Sequence, residues 1–237
     1  MASALLFSVE HGNNKVPPEY AGLFAGHEEL LGSHRGHDPG AAEFAARFAT
    51  RFHAPVETAE VTRLLVDQNR SLHNRKSLFS EFTKRLPPQE KQAILDKYYW
   101  PYRRQIDEHV GNMIAESGQV LHLAIHSFTP ELYGKVRKCD IGLMYDPSRP
   151  REKEFSLRWQ QQIHRLDGKL RVRRNYPYQG IGDGVTSALR RHFSPEQYTG
   201  LQIEVNQRFP FGERESWKHL QKVVIEGFAA TLAEGGF

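Results

Sequence analysis

Residues 119–130 read QVLHLAIHSFTP. A short β-rich run, 119–125, ends at His126 and opens into a loop at Ser127, where a side chain can point into a crevice. Outward from it the same kind of run recurs at 5–9, 55–61, 140–145, 170–174 and 200–205. Between these runs lie helical patterns at 40–52, 88–117, 152–166, 184–193 and 213–234. Strands alternating with longer helices predict an α/β fold, a sheet with helices on its faces. The longest helical pattern repeats Ile94, Tyr98, Tyr102, Ile106, Val110 and Ile114 at close to four-residue spacing, which gives one buried stripe. Pro101 falls inside it and predicts a kink or a break there.

The chain of 237 residues is long enough for a substantial core and shows no internal repeat, low-complexity segment or linker, so one domain over 1–237 is expected. Hydrophobic residues at 39% and charged residues at 25% place it among globular proteins and leave disordered, collagen-like and coiled-coil classes far behind. With Cys139 as its single cysteine it has neither an intrachain disulfide framework nor a cysteine-rich zinc site, and any metal must be held by His, Asp or Glu. The opening MASALLFSVEHG lacks a basic segment and reads as a first strand. No stretch approaches the roughly 18 apolar residues of a membrane helix, so a cytoplasmic protein without membrane contact is expected. The net charge of +4 is spread along the chain among 28 acidic residues, which argues against nucleic acid and for attraction of a small anionic substrate.

In α/β folds sites gather where strands end. His11 after the first run and His126 after the central one are each followed by a small residue at a strand exit. Alone, either is more simply a hydrogen-bonded loop residue; the matching pair points to a ligand set. In SHRGHDPGA, Asp38 reads as a helix N-cap or as a metal carboxylate, with His34 and His37 as competing donors. His11, Asp38 and His126 make a chemically suitable zinc set. VTRLLVDQNRS concentrates Arg63, Asp67, Asn69 and Arg70, either an ion-pair network in a loop or groups that grip a carboxylate. Glu204 in LQIEVN alternates against Ile203 and Val205 and is either a solvent-facing strand residue or a general base. NYPYQGIGDGVTSALRRHF lacks the P-loop and dinucleotide patterns. It reads as a flexible substrate loop whose glycines lead into a helix near Gly184, with N–H groups open to an anion.

The segments SVEHGNNKVP, SHRGHDPGA, TRLLVDQNRS, LHLAIHSFTP, NYPYQGIGDGVT and LQIEVNQRF, in that order from Ser8 to Phe209, resemble the N-formylglutamate amidohydrolase family. That family is distantly related to zinc carboxypeptidases and aspartoacylases. The resemblance implies a three-layer α/β/α fold with a mixed central sheet, one Zn2+ as cofactor, and an N-acyl amino acid substrate, N-formyl-L-glutamate in the first place. It implies His11, Asp38 and His126 as ligands. Asn14 stands where the carboxypeptidase relatives have a glutamate ligand, which moves the acidic ligand to Asp38. Glu204 would be the general base and Arg63 the group that polarises the scissile carbonyl. Asn69 and Arg70 would bind the α-carboxylate, and Arg190 or Arg191, with Tyr178 and Thr186, a second carboxylate. Rival readings are an acylase or peptidase for another N-acyl amino acid and a non-catalytic carboxylate-binding protein.

Overall fold

The computed structural model describes residues 4–235; residues 1–3 and 236–237, the two ends of the expected 1–237 domain, lie outside the described residues. The chain forms strands β1 (Ala4–Val9), β2 (Val56–Thr58), β3 (Val120–Phe128), β4 (Glu131–Leu132), β5 (Lys135–Val136), β6 (Ile141–Met144), β7 (Val172–Arg174) and β8 (Tyr198–Asn206). Its helices are α1 (Glu28–Gly32), α2 (Ala41–Phe52), α3 (Pro88–Ile94), α4 (Trp100–Ser117), α5 (Pro150–Leu166), α6 (Val185–His192) and α7 (Arg214–Ala233). The main sheet runs β2-β1-β3-β8-β6-β7, and β4 and β5 make a separate hairpin. β2, β1, β3 and β8 are mutually parallel, whereas β6 runs antiparallel to β8 and parallel to β7. The sheet is therefore mixed.

Residue parity decides which layer each strand side chain enters. Phe7, Val9, Leu121, Leu123, Ile125, Leu201, Ile203 and Val205 pack with Phe44 and Phe48 of α2, Phe155 and Trp159 of α5, and Trp217 and Phe228 of α7. Leu6, Val120 and Tyr198 pack with Tyr102, Ile106 and Val110 of α4 and with Val185 and Leu189 of α6. Helices thus cover both faces, the expected three layers. Phe48 and Trp159 are wholly buried, and each such side chain contributes about 1.5–3 kcal/mol by leaving water.

Two expectations shift in register. β3 continues through His126 to Phe128, so His126 sits inside the strand, directly opposite Glu204 of β8. The region 88–117 does not break at Pro101; a π-helical turn at Leu95–Tyr99 joins α3 to α4. Proline cannot donate its nitrogen, and a widened turn before it accommodates the loss. The extra residue advances the buried stripe, so Tyr99 rather than Tyr98 points inward, and its hydroxyl donates to Arg70 O at 2.7 Å. The strand expected at 55–61 is only three residues long, because Ala59 and Val61 leave the sheet for the clusters beneath the helices.

Candidate active site

β1, β3 and β8 are neighbours in the sheet, and their C-terminal ends lie together. Glu10 and His11 follow β1, His126 closes the inner part of β3, and Glu204 stands opposite it. Asp38 comes from the segment before α2, and its backbone N–H donates to His11 O at 2.8 Å, which pins it to the exit of β1. His11, Asp38, His126 and Glu204 are all buried and line one cavity of about 560 Å³.

The two imidazoles converge on one carboxylate oxygen. Asp38 Oδ2 lies 3.3 Å from His11 Nδ1 and 2.9 Å from His126 Nδ1. One donor atom from each of the three residues falls within 4.8 Å of the others. Behind each ring stands a further buried carboxylate: Asp67 Oδ1 is 2.7 Å from His11 Nε2, and Glu10 Oε2 is 3.0 Å from His126 Nε2. Two imidazoles and a carboxylate are donors that suit zinc, and a carboxylate behind a ligating imidazole fixes its orientation and raises its basicity. The donor set therefore fits a metal. His34 is exposed, and His37 turns its Nδ1 toward Leu31 O at 3.2 Å; neither joins this group. Asp38 does not cap α2 with its side chain, because Oδ2 faces the histidines and Oδ1 accepts from Arg63 Nη1 at 3.3 Å.

Charge in the cluster is held by contact. Burial opposes the ionisation of Asp38 and Asp67, but His11 and Arg63 beside both, with His126 beside Asp38 and Arg70 beside Asp67, keep the two carboxyls well below the usual range. Glu10 is likewise buried, yet His126 and the Ser8 hydroxyl lower it to about 2. His126 is raised well above its ordinary value, since Asp38 and Glu10 outweigh burial. Glu204 goes the other way: burial, with Asp38 adding to it against the nearby cations, raises it to about 7. Its Oε2 is buried without a hydrogen-bond partner among the described residues.

Arg63, Asn69, Arg70 and Tyr178 line the cavity. Arg63 is braced by Asp38 and by Asp67, whose Oδ2 lies 3.0 Å from its Nη2. Asn69 Oδ1 accepts the Val185 N–H at 2.8 Å, which leaves its amide NH2 on the His126 side, 3.5 Å from Nε2. Arg70 donates to Ser77 Oγ at 3.2 Å and Asn69 O at 2.8 Å. The Tyr178 hydroxyl accepts from Arg137 Nη1 at 3.1 Å.

Other expectations are not met. Arg190 does not reach the cavity; it is buried against Glu152 through paired contacts of 3.0 and 2.9 Å and also donates to Gly180 O and Gly200 O. A guanidinium inside the fold requires such a partner, so its role here is structural. Arg191 is exposed on α6, outside the cavity wall. Thr186 is also set back, accepting from Gln202 Nε2 at 2.7 Å, and Gln202 is the residue that faces the cavity. Two of the glycines in 180–184, Gly180 and Gly184, are required by close packing. A Cβ on Gly180 would meet the Tyr145 backbone at 2.2 Å, and one on Gly184 would meet Asn69 Oδ1 at 2.6 Å. The first N–H of α6 is spent on Asn69 and is closed to a ligand.

Gln202, Asn74, Lys76 and Asp183 also line the cavity, unanticipated in the sequence. Strand alternation would have revealed Gln202, which shares the face of Glu204. Asp183 accepts from Ser71 N at 3.0 Å and Asn74 Nδ2 at 2.9 Å, tying two distant loops together, and no local pattern announces that.

A solved structure of a gene product of Agrobacterium tumefaciens is similar over 98% of this chain and 91% of that one, with 27% identity and a TM-score of 0.80. The N-formylglutamate amidohydrolase of Ralstonia eutropha JMP134 shares the fold at 19% identity, with a TM-score of 0.71 over 98% of this chain and 94% of its own. No curated protein matches in sequence. Residues 3–209, which include every residue of the cavity wall, match the sequence profile of the N-formylglutamate amidohydrolases, and the chain belongs to that family of amide hydrolases.

Proposed function

We propose that this chain hydrolyses a small anionic N-acyl amino acid, N-formyl-L-glutamate to L-glutamate and formate, with one zinc ion held by His11, Asp38 and His126. The observation that carries the reading is the pairing of His126 with Glu204 across β3 and β8. It sets a carboxylate free of partners at Oε2 beside the His-Asp-His donors. Zinc bound there would polarise the amide carbonyl and ease deprotonation of water near neutral pH.

Glu204 takes one proton from the attacking water and delivers it to the leaving nitrogen as the C–N bond breaks. Arg63, held in place by Asp38 and Asp67, faces the carbonyl oxygen as it gains charge. The Asn69 amide and Arg70 hold the α-carboxylate. Lys76 is the remaining cation on the cavity wall and receives a second carboxylate. The cavity of about 560 Å³ favours, as second reading, an acylase accepting a larger acyl group. The chain acts as one domain on a small molecule in the cytoplasm, without nucleic acid; no helix among the described residues is long and apolar enough to cross a membrane.

Metal analysis followed by hydrolysis of N-formyl, N-acetyl and N-succinyl amino acids tests both parts. Glu204→Gln abolishes nearly all turnover with metal content kept, and His126→Ala loses the metal. Full activity in the first variant, or full metal content in the second, removes the residue from its role.

A further inference from the structure

On the sheet face that bears the site, buried polar side chains continue beyond it. Glu10 Oε1 accepts the Ser8 hydroxyl at 2.7 Å, and Ser8 Oγ lies 2.7 Å from His122 Nε2. His122 Nδ1 lies 2.7 Å from the Tyr198 hydroxyl. Ser8, Glu10, His122 and Tyr198 are each 0% exposed, and none of them lines the cavity. Glu10 Oε2 touches His126 Nε2 at 3.0 Å and has no other partner among the described residues.

Hydrogen-bonding capacity sets the direction of this row. The Ser8 hydroxyl donates to Glu10 Oε1 and spends its one proton there. The Ser8 oxygen must then accept, which requires an N–H on His122 Nε2. Burial lowers His122 to about 4 and keeps it neutral, so Nδ1 is bare and takes the Tyr198 proton. Every bond in the row points toward Glu10.

We propose that His122, oriented by Tyr198 and acting through Ser8, is a positioning residue that holds Glu10 against His126 Nε2. The ring proton of His126 then stays on Nε2, and Nδ1, which faces Asp38, is left for the metal. This rests on the metal-dependent reading above. Glu10 Oε1 accepts from Ser8 at 2.7 Å and from the Tyr102 hydroxyl at 3.3 Å; the shorter Ser8 bond, whose direction His122 fixes, sets the carboxylate against the ring.

The test is a zinc titration of the metal-stripped full chain against a chromophoric chelator, with visible spectra of the cobalt-loaded protein. His122→Leu should bind zinc roughly 10–100-fold more weakly and alter the cobalt bands, while His122→Gln, which retains an N–H for Ser8, should recover to within about threefold of wild type. Wild-type affinity in a folded His122→Leu overturns the proposal. Should that variant not fold, Tyr198→Phe, which removes one hydroxyl, decides in the same titration: weakened zinc binding supports the proposal and unchanged binding overturns it. Failure of the wild-type chain to bind zinc refutes the metal-dependent reading, and this proposal with it.

Discussion

Replacing Asp67 by asparagine removes one charge and almost no volume. Asp67 Oδ1 serves two donors, His11 Nε2 at 2.7 Å and the Asn69 N–H at 2.9 Å, while Oδ2 accepts from Arg63 at 3.0 Å. An amide oriented with its oxygen toward His11 turns NH2 against the Arg63 guanidinium. Turned over, it sets NH2 against His11 Nε2 and pushes the ring proton to Nδ1, on the side of Asp38. Either orientation weakens His11 as a donor, and loss of such a partner costs a metal site roughly 10–100-fold in affinity, about 1.4–2.7 kcal/mol. Competition with a chromophoric zinc chelator at fixed pH measures this, with a melting curve of the stripped protein to show that the variant folds. A folded Asp67→Asn protein with wild-type zinc affinity would falsify the role of Asp67 behind His11.

Arg190→Ala should act on stability rather than on substrate. It strands Glu152, which is 1% exposed, and breaking a buried pair costs about 3–5 kcal/mol, or roughly 10 °C in a chain of this size. An unchanged melting temperature with a raised KM would return Arg190 to the substrate site. For Glu204, the folded-state value of about 7 lies above its ordinary 4.5. The contribution of its neutral form to stability is full below pH 4.5 and is lost as pH rises through 7. Metal-stripped wild type should therefore weaken relative to Glu204→Gln by up to about 3 kcal/mol between pH 5 and 8. Parallel stability curves for the two proteins would show that Glu204 ionises freely in the fold.

The layered fold was legible because strand alternation and helical stripes are local, and both repeat along the chain. Asp38, His126 and Glu204 could be named because each sits in a segment with a recognisable neighbour pattern. What stayed hidden depends on pairing. Glu10 reads as the tail of an apolar run, and only β3 beside it and Tyr102 from α4, 3.3 Å from its Oε1, show it to be enclosed. Arg190 was misplaced for the same reason. Its partner Glu152 begins another helix 38 positions away, and an arginine beside a glycine loop looks alike whether it faces a ligand or a carboxylate of the fold. The π turn too depends on three-dimensional packing, since Tyr98 and Tyr99 are equivalent in composition and only the widened turn selects Tyr99.

The parity of β1, β3 and β8 has a consequence for the folding chain. Even-numbered residues Ser8, His122, His126 and Glu204 share one face, and odd-numbered Phe7, Leu123, Ile125 and Ile203 share the other. A one-residue slip of β3 would send His126 into the aromatic layer and Ile125 toward Asp38, exchanging every role at once. Zinc affinity, on the proposed donor set, then reports strand register: a chain with β3 slipped keeps His11 and Asp38 at the exit of β1 but withdraws His126, so one of the three donors is lost.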